Sequence, residues 1–163
     1  MQQTDKNNEA LRQGSTATPG STFIWAAVSG DVAVAVAQLA DDVEWILMPN
    51  NQIIKGKEEA ISWLKAGAAG QKELVAISNL ATKEWGVFEF WEIGTFTEDV
   101  AAFFKQQGWP FPEDPISLVG RQHKVAKCFV YHLNVEGKID VVREYLDASS
   151  VMAQLRCGRS DVK

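Results

Sequence analysis

Residues 120–147 read G-R-Q-H-K-V-A-K-C-F-V-Y-H-L-N-V-E-G-K-I-D-V-V-R-E-Y-L-D. Two runs rich in β-branched and aromatic residues flank Glu136-Gly137, a short polar turn, which is the pattern of a β-hairpin. With Glu136 and Gly137 as a two-residue loop, Val135 faces Lys138. Tyr131 then lies opposite Val142, Phe129 opposite Glu144, and Lys127 opposite Leu146. Side chains alternate along a strand, so Val125, Lys127, Phe129, Tyr131, Val142, Glu144 and Leu146 share one face. That face is mostly apolar and is predicted to be buried. It carries one carboxylate, Glu144, and one ammonium, Lys127, on a diagonal that long side chains can close. Charges on an apolar face are costly unless paired or put to use. The pair is therefore expected on the floor of a ligand pocket.

Outward from the hairpin, the chain changes period twice. Residues 1–17 are polar and predicted to be a disordered tail. Thr18-Pro19 opens a first helix, with Phe23, Ile24 and Ala27 on its apolar stripe and Ser29-Gly30 as its stop. Asp31 caps a second helix over 32–40, which Asp41-Asp42 ends. Residues 43–48 read as a short strand closed by Pro49-Asn50-Asn51. Gly56 precedes a third helix over 57–69, with Ile61, Leu64 and Ala68 on one face and Gly67 and Gly70 weakening its end. Strands follow at 73–82 and 85–97, with a turn near Lys83. In the second, Val87, Glu89, Trp91 and Ile93 are read as the inward face, and Phe88, Phe90, Glu92 and Phe96 as an outward face that a partner subunit covers. Residues 98–119 hold a short helix with Val100, Phe103 and Phe104, then a Pro-rich run; an interruption this long is read as a lid over the pocket or an interface insertion. Residues 148–155 make a final helical turn or two before a polar tail at 157–163. Helices followed by antiparallel strands make an α+β domain over 18–156.

Composition narrows the function classes. The 163 residues suffice for one domain with a core, and a net charge of -5 without a Lys/Arg cluster argues against nucleic acid and anionic membrane as partners. No apolar run reaches the ~20 residues of a membrane helix, and the first residues show no apolar signal region. Cys128 and Cys157 are too few for a disulfide framework or a zinc site. The expectation is a cytoplasmic protein with no metal and no cofactor. Six Trp and eight Phe suit an aromatic-lined cavity or a plain core.

In order and spacing, Gly30-Asp31, the L-A-D-D-V-E-W of residues 39–45, Gly56 and E-G-K-I…V-R-E-Y-L-D resemble the NTF2-like superfamily and, within it, the SnoaL-like proteins, over roughly residues 19–155. The resemblance implies a cone: a curved antiparallel or mixed sheet wrapped around three N-terminal helices, open at one end. A homodimer is expected from the second apolar face of the sheet, with Phe88, Phe90 and Phe96, and a small apolar or aromatic ligand in the aromatic-lined cone. Members include polyketide cyclases, ketosteroid isomerases, scytalone dehydratase, limonene-epoxide hydrolase and noncatalytic modules. The V-R-E-Y-L-D segment is similar to the W-R-D-Y-F-D of limonene-epoxide hydrolase and places Glu144 where that family has a catalytic aspartate. The family's water-holding Tyr and Asn fall on Trp45 and Leu47, and its Arg and second Asp on Trp91 and Ile93. Epoxide hydrolysis would therefore need a second acid beside Glu144.

The expected site thus has Glu144 as base, helped by Lys127 and Glu89. Trp45, Leu47, Trp63, Trp91, His123, Phe129, Tyr131 and Leu146 are expected to line the substrate pocket. His123 is read as a proton shuttle or a rim residue. Isomerisation, cyclisation, dehydration and hydrolysis all fit a single pocket carboxylate, and a noncatalytic binding module fits the same residues.

Overall fold

The computed structural model describes residues 18–48, 50–68, 72–106 and 114–157. The expected tails at 1–17 and 158–163, the turn residue Pro49, the helix end at Ala69 and Gly70, most of the Pro-rich run, and the side chains of Phe103 and Phe104 lie outside the described residues.

Helix α1 (Pro19–Ser29) starts on a reciprocal cap: Thr18 Oγ1 accepts from the Ser21 amide while Ser21 Oγ accepts from the Thr18 amide. Gly30, at φ 82°, ends it in the left-handed conformation. Asp31 caps α2 (Val32–Ala37) by accepting from the Val34 amide. This helix stops before the expected residue 40. The Gln38 carbonyl accepts from the Ile139 amide, and Leu39 pairs with Ile139 in the sheet. Sheet pairing of a fully buried Leu39 outweighs the helix propensity of the alanines.

The strands are β1 (Leu39–Leu47), β2 (Gln52–Lys55), β3 (Lys72–Ala81), β4 (Trp85–Thr95), β5 (Gln122–Leu133) and β6 (Ile139–Leu146). They form one six-stranded sheet in the order β2-β1-β6-β5-β4-β3, with β1 and β6 parallel and the other pairs antiparallel. Strand β2 was not expected: four residues behind a turn give too little pattern to read. Helix α3 (Gly56–Ala68) follows it, α4 (Glu98–Gln106) and a 3₁₀ turn (Pro115–Leu118) sit in the interruption, and α5 (Ala148–Cys157) closes the described chain. This is the expected α+β cone. No helix among the described residues is long and apolar enough to cross a membrane.

The hairpin keeps the expected register, with Lys127, Phe129 and Tyr131 opposite Leu146, Glu144 and Val142. Its turn is a correction. The loop is Val135, Glu136 and Gly137, closed by the Asn134 amide donating to the Lys138 carbonyl, with Gly137 at φ 74°. The extra loop residue shifts the pairing by one, and a bulge between His132 and Leu133 shifts it back.

The parity of β4 is the larger correction. Phe88 pairs with Phe129, Phe90 with Lys127 and Glu92 with Val125, and residues directly opposite share a face. Phe88, Phe90, Glu92 and Phe96 therefore point inward and are buried, while Glu89 and Trp91 point outward. The expected dimer face loses all three phenylalanines on which it rested.

Two apolar clusters result. The larger joins Phe23 and Ile24 of α1, Ala35 of α2, and Ala60 and Leu64 of α3 to the inward face of the sheet. The smaller joins Phe96, Ala101 of α4, Leu118 and Leu155 of α5. The Tyr131 ring is wedged between two glycines: a Cβ on Gly86 would lie 2.0 Å from its Cζ, and one on Gly20 2.1 Å. The Tyr131 and Thr18 hydroxyls, 3.1 Å apart, tie the ring to the start of α1. Gly86→Ala is expected to cost about 3 kcal/mol, because a rigid ring in a packed core cannot retreat. Urea unfolding checks this; a loss below about 1 kcal/mol would mean the ring has room to move.

Candidate functional site

Between the two clusters, at the wide end of the cone, lies a cavity of about 340 Å³. Its size is at the small end of ligand pockets, suited to a molecule of one or two rings. Leu47, Trp63 of α3, Phe96, Val125, Val100 of α4 and Met152 of α5 supply apolar wall, and Lys72, Glu92, His123, Lys127 and Glu144 bring polar groups to it.

Strand pairing explains the convergence. Leu47 sits beside Glu144 in the parallel β1–β6 ladder, and Trp45 lies two residues back on the same face. Lys127 stands on the neighbouring β5 and Glu92 on β4 beyond it. Lys127 Nζ lies 3.1 Å from Glu144 Oε1 and 3.2 Å from Glu92 Oε2, bridging the two carboxylates. Trp45 Nε1 donates to Glu144 Oε2 at 3.0 Å. Glu92 Oε2 also lies 3.6 Å from Lys72 Nζ, and Glu92 Oε1 3.5 Å from His123 Nε2. His123 Nδ1 is buried and has no hydrogen-bond partner among the described residues. Beneath the polar groups the floor is aromatic: Phe90 stacks on Phe129 at 5.6 Å, and Trp45 meets Phe23, Phe129 and Trp63 edge-on.

The charges perturb one another. Burial, the strongest single influence on Glu92, pushes its carboxyl up; Lys127, Lys72 and the His123 hydrogen bond together hold it well below its ordinary 4.5. Burial pulls Lys127 down, but Glu144 and Glu92 outweigh it and raise the ammonium above its ordinary 10.5. For Lys72 burial wins: with Lys127 adding repulsion, its pKa is lowered despite Glu92. A bridging ammonium that stays charged, beside carboxylates in an apolar cavity, can hold a developing oxyanion while a carboxylate takes a proton.

The structure brings Glu144, Lys127, His123, Leu47, Trp63 and Leu146 to one cavity. Trp45 reaches it through its bond to Glu144, and Phe129 lies beneath it in the core. Tyr131 does not line the cavity; its ring is packed between Gly20 and Gly86. Glu89 is not brought in: on the outer face its Oε2 accepts from Ser78 Oγ at 3.2 Å, and it lines a shallow outer groove with Cys128 and Tyr145. Trp91 is also outside, 37% exposed, under the Lys124 ammonium. The residues that sequence reasoning missed are Glu92 and Lys72. Glu92 had a readable signal, since it keeps step with Phe88 and Phe90. Lys72 had none, standing just after a glycine-weakened helix end. Among the described residues no group of three or more His, Cys, Asp or Glu is arranged to hold a metal ion.

No protein-family model matches the chain, and no curated protein matches it in sequence. Solved structures do. An LEH-like epoxide hydrolase of M. tuberculosis superposes with a TM-score of 0.62 at 17% identity, over 94% of this chain and 93% of that one. A SnoaL-like polyketide cyclase candidate of Shewanella putrefaciens CN-32 gives 0.67 at 11% identity, over 93% and 94%. A hypothetical protein of Catenulispora acidiphila DSM 44928 with a ketosteroid isomerase-like fold, in complex with trimethylamine, gives 0.63 at 14%, over 87% and 95%. The chain has the NTF2-like fold that the resemblance implied. At these identities the likeness is one of fold, and a fold of this kind hosts many reactions.

Proposed function

We propose that the protein is an acid–base enzyme that needs no cofactor and abstracts a proton next to the carbonyl of a small apolar or aromatic molecule, in the manner of an isomerase or cyclase. The observation that carries this reading is the Glu144–Lys127–Glu92 bridge at the wall of the cavity. Glu144 is the base. Two of its lone-pair directions are taken by Lys127 and Trp45, and a carboxylate offers about four. The Lys127 ammonium faces the enolate oxygen as charge develops, and Glu92 holds that ammonium in place. Incubation with 1-tetralone in deuterium oxide tests the reading: deuterium should enter the carbon next to the carbonyl faster than in buffer. Absence of exchange, with the ketone still bound, would leave a noncatalytic binding module.

A second reading, water addition to an apolar epoxide, draws on one observation: Glu92 supplies the second acid beside Glu144 that such a site requires. Glu92 is held ionised, so the Lys127 ammonium would have to ease the opening oxygen. Cytoplasmic location belongs to the same proposal. So does a homodimer, which now rests on the outer-face aromatics Trp85, Trp91 and Tyr145. Light scattering at micromolar concentration should give twice the chain mass; a monomer there removes the dimer.

A further inference from the structure

We infer that Lys72 is a nucleophilic amine that condenses with an aldehyde or ketone entering the cavity, forming an imine. The inference rests on the cavity proposed above as the substrate site, and not on Glu144 acting as its base.

Lys72 is the first residue of β3, opposite Gly94 of β4. Its side chain runs past Gly94 and Gly67, where even an added Cβ would make only ordinary van der Waals contact with it. A Cβ on Gly94 would lie 3.5 Å from Lys72 Cγ, and one on Gly67 3.6 Å from Nζ. The side chain is 16% exposed, and the residue lines the cavity. Its carboxylate contact is Glu92 Oε2 at 3.6 Å, and the same oxygen holds Lys127 at 3.2 Å. Lys127 has Glu144 as well; Lys72 has to share. A lysine desolvated in an apolar pocket beside another cation gives up its proton more readily than an exposed one, and the neutral fraction so gained is the nucleophile. The groups facing it are Glu92 and Lys127 closest, with Glu144 beyond Lys127. Burial first, then Lys127, lower its pKa from the ordinary 10.5. His123 stands against Gly94 on the same wall, 3.5 Å from Glu92.

The step is redox-neutral. The Nζ lone pair attacks the carbonyl carbon as the C=O π pair moves to oxygen. One nitrogen proton passes to that oxygen, giving a carbinolamine. The C–O bond then breaks, the second nitrogen proton leaves with the oxygen as water, and the nitrogen lone pair forms C=N. Amine and carbonyl become a neutral imine and water; an imine that then takes up a proton from solvent would sit against the Glu92 carboxylate.

Benzaldehyde with sodium cyanoborohydride at pH 7.5 tests this on the full chain. Reduction turns any imine into a stable benzyl amine that peptide mass mapping assigns to a residue. Lys72 should be modified several-fold more than the exposed Lys55 and Lys105, because burial and the neighbouring Lys127 ammonium favour its neutral form. The adduct should be absent from Lys72→Arg, and 1-tetralone should slow its formation. It should persist in Glu144→Gln, which separates this site from the base proposed above. Labelling spread over surface lysines with Lys72 unmodified, or Lys72 reacting only in step with them as pH rises, would overturn the inference. Deuterium exchange that survives such a result leaves the role of Glu144 standing.

Discussion

Lys127→Met should destabilise the protein by about 3–5 kcal/mol at neutral pH, the cost of leaving buried charge without its partner. Its Nζ is the ammonium bridging Glu144 and Glu92, and the side chain is only 15% exposed. Without it, Glu144 keeps the Trp45 N–H and Glu92 keeps Lys72 and His123. The two carboxylates then repel through a medium of low dielectric. The deficit should depend on pH in a defined direction. In the native protein Glu92 is depressed below 4.5, so its contribution is present above that value and is lost as pH falls below it. Lys127 is raised above 10.5, so its contribution is present below 10.5 and is lost as pH climbs through the higher folded value. In the variant, Glu92 loses Lys127, the largest of the influences that hold it ionised, and gains by taking up a proton. The gap between the two proteins should therefore narrow as pH falls from 7 toward 4.5. Urea midpoints across that range check it. A gap that stays flat, or that is below about 1 kcal/mol at pH 7, would mean the bridge is solvent-screened.

The second large effect concerns chemistry. Glu144→Gln should slow deuterium exchange into 1-tetralone by about 10²–10⁴-fold, the usual contribution of a positioned general base. The amide keeps the volume and can still accept from Trp45, so ketone affinity should change far less than the rate. Glu92→Gln should act more weakly, because Glu92 acts through Lys127. Glu89→Gln should do nothing, since the sheet separates Glu89 from the cavity. Equal losses from Glu89→Gln and Glu144→Gln would assign both to general destabilisation.

The contrast between those two glutamates shows what could be read from residues alone. The β5–β6 hairpin closes on itself, and its alternation has one apolar face, so the places of Lys127 and Glu144 follow from the pattern. Strand β4 carries a glutamate and large apolar side chains at both parities: Glu89 with Val87 and Trp91, Glu92 with Phe88 and Phe90. Alternation alone leaves such a strand free to face either way. Only its pairing with β5, which sets Phe90 beside Lys127, decides. The three phenylalanines were the stronger apolar set and pointed to the right answer. Lys72 could not have been placed, because its role comes from Glu92 and Lys127 on other strands. The early end of α2 is similar: the alanine-rich run is helical by propensity, and Ile139, a hundred residues on, takes Leu39 into the sheet.

The most direct test follows glutamate side-chain carboxyls, enriched in ¹³C and assigned with the Glu89→Gln, Glu92→Gln and Glu144→Gln variants, by NMR as 1-tetralone is added. The Glu144 and Glu92 signals should move together and saturate with the ligand while Glu89 stays still. Movement of Glu89 with Glu144 and Glu92 unmoved would place the ligand on the other side of the sheet and remove the cavity from the chemistry.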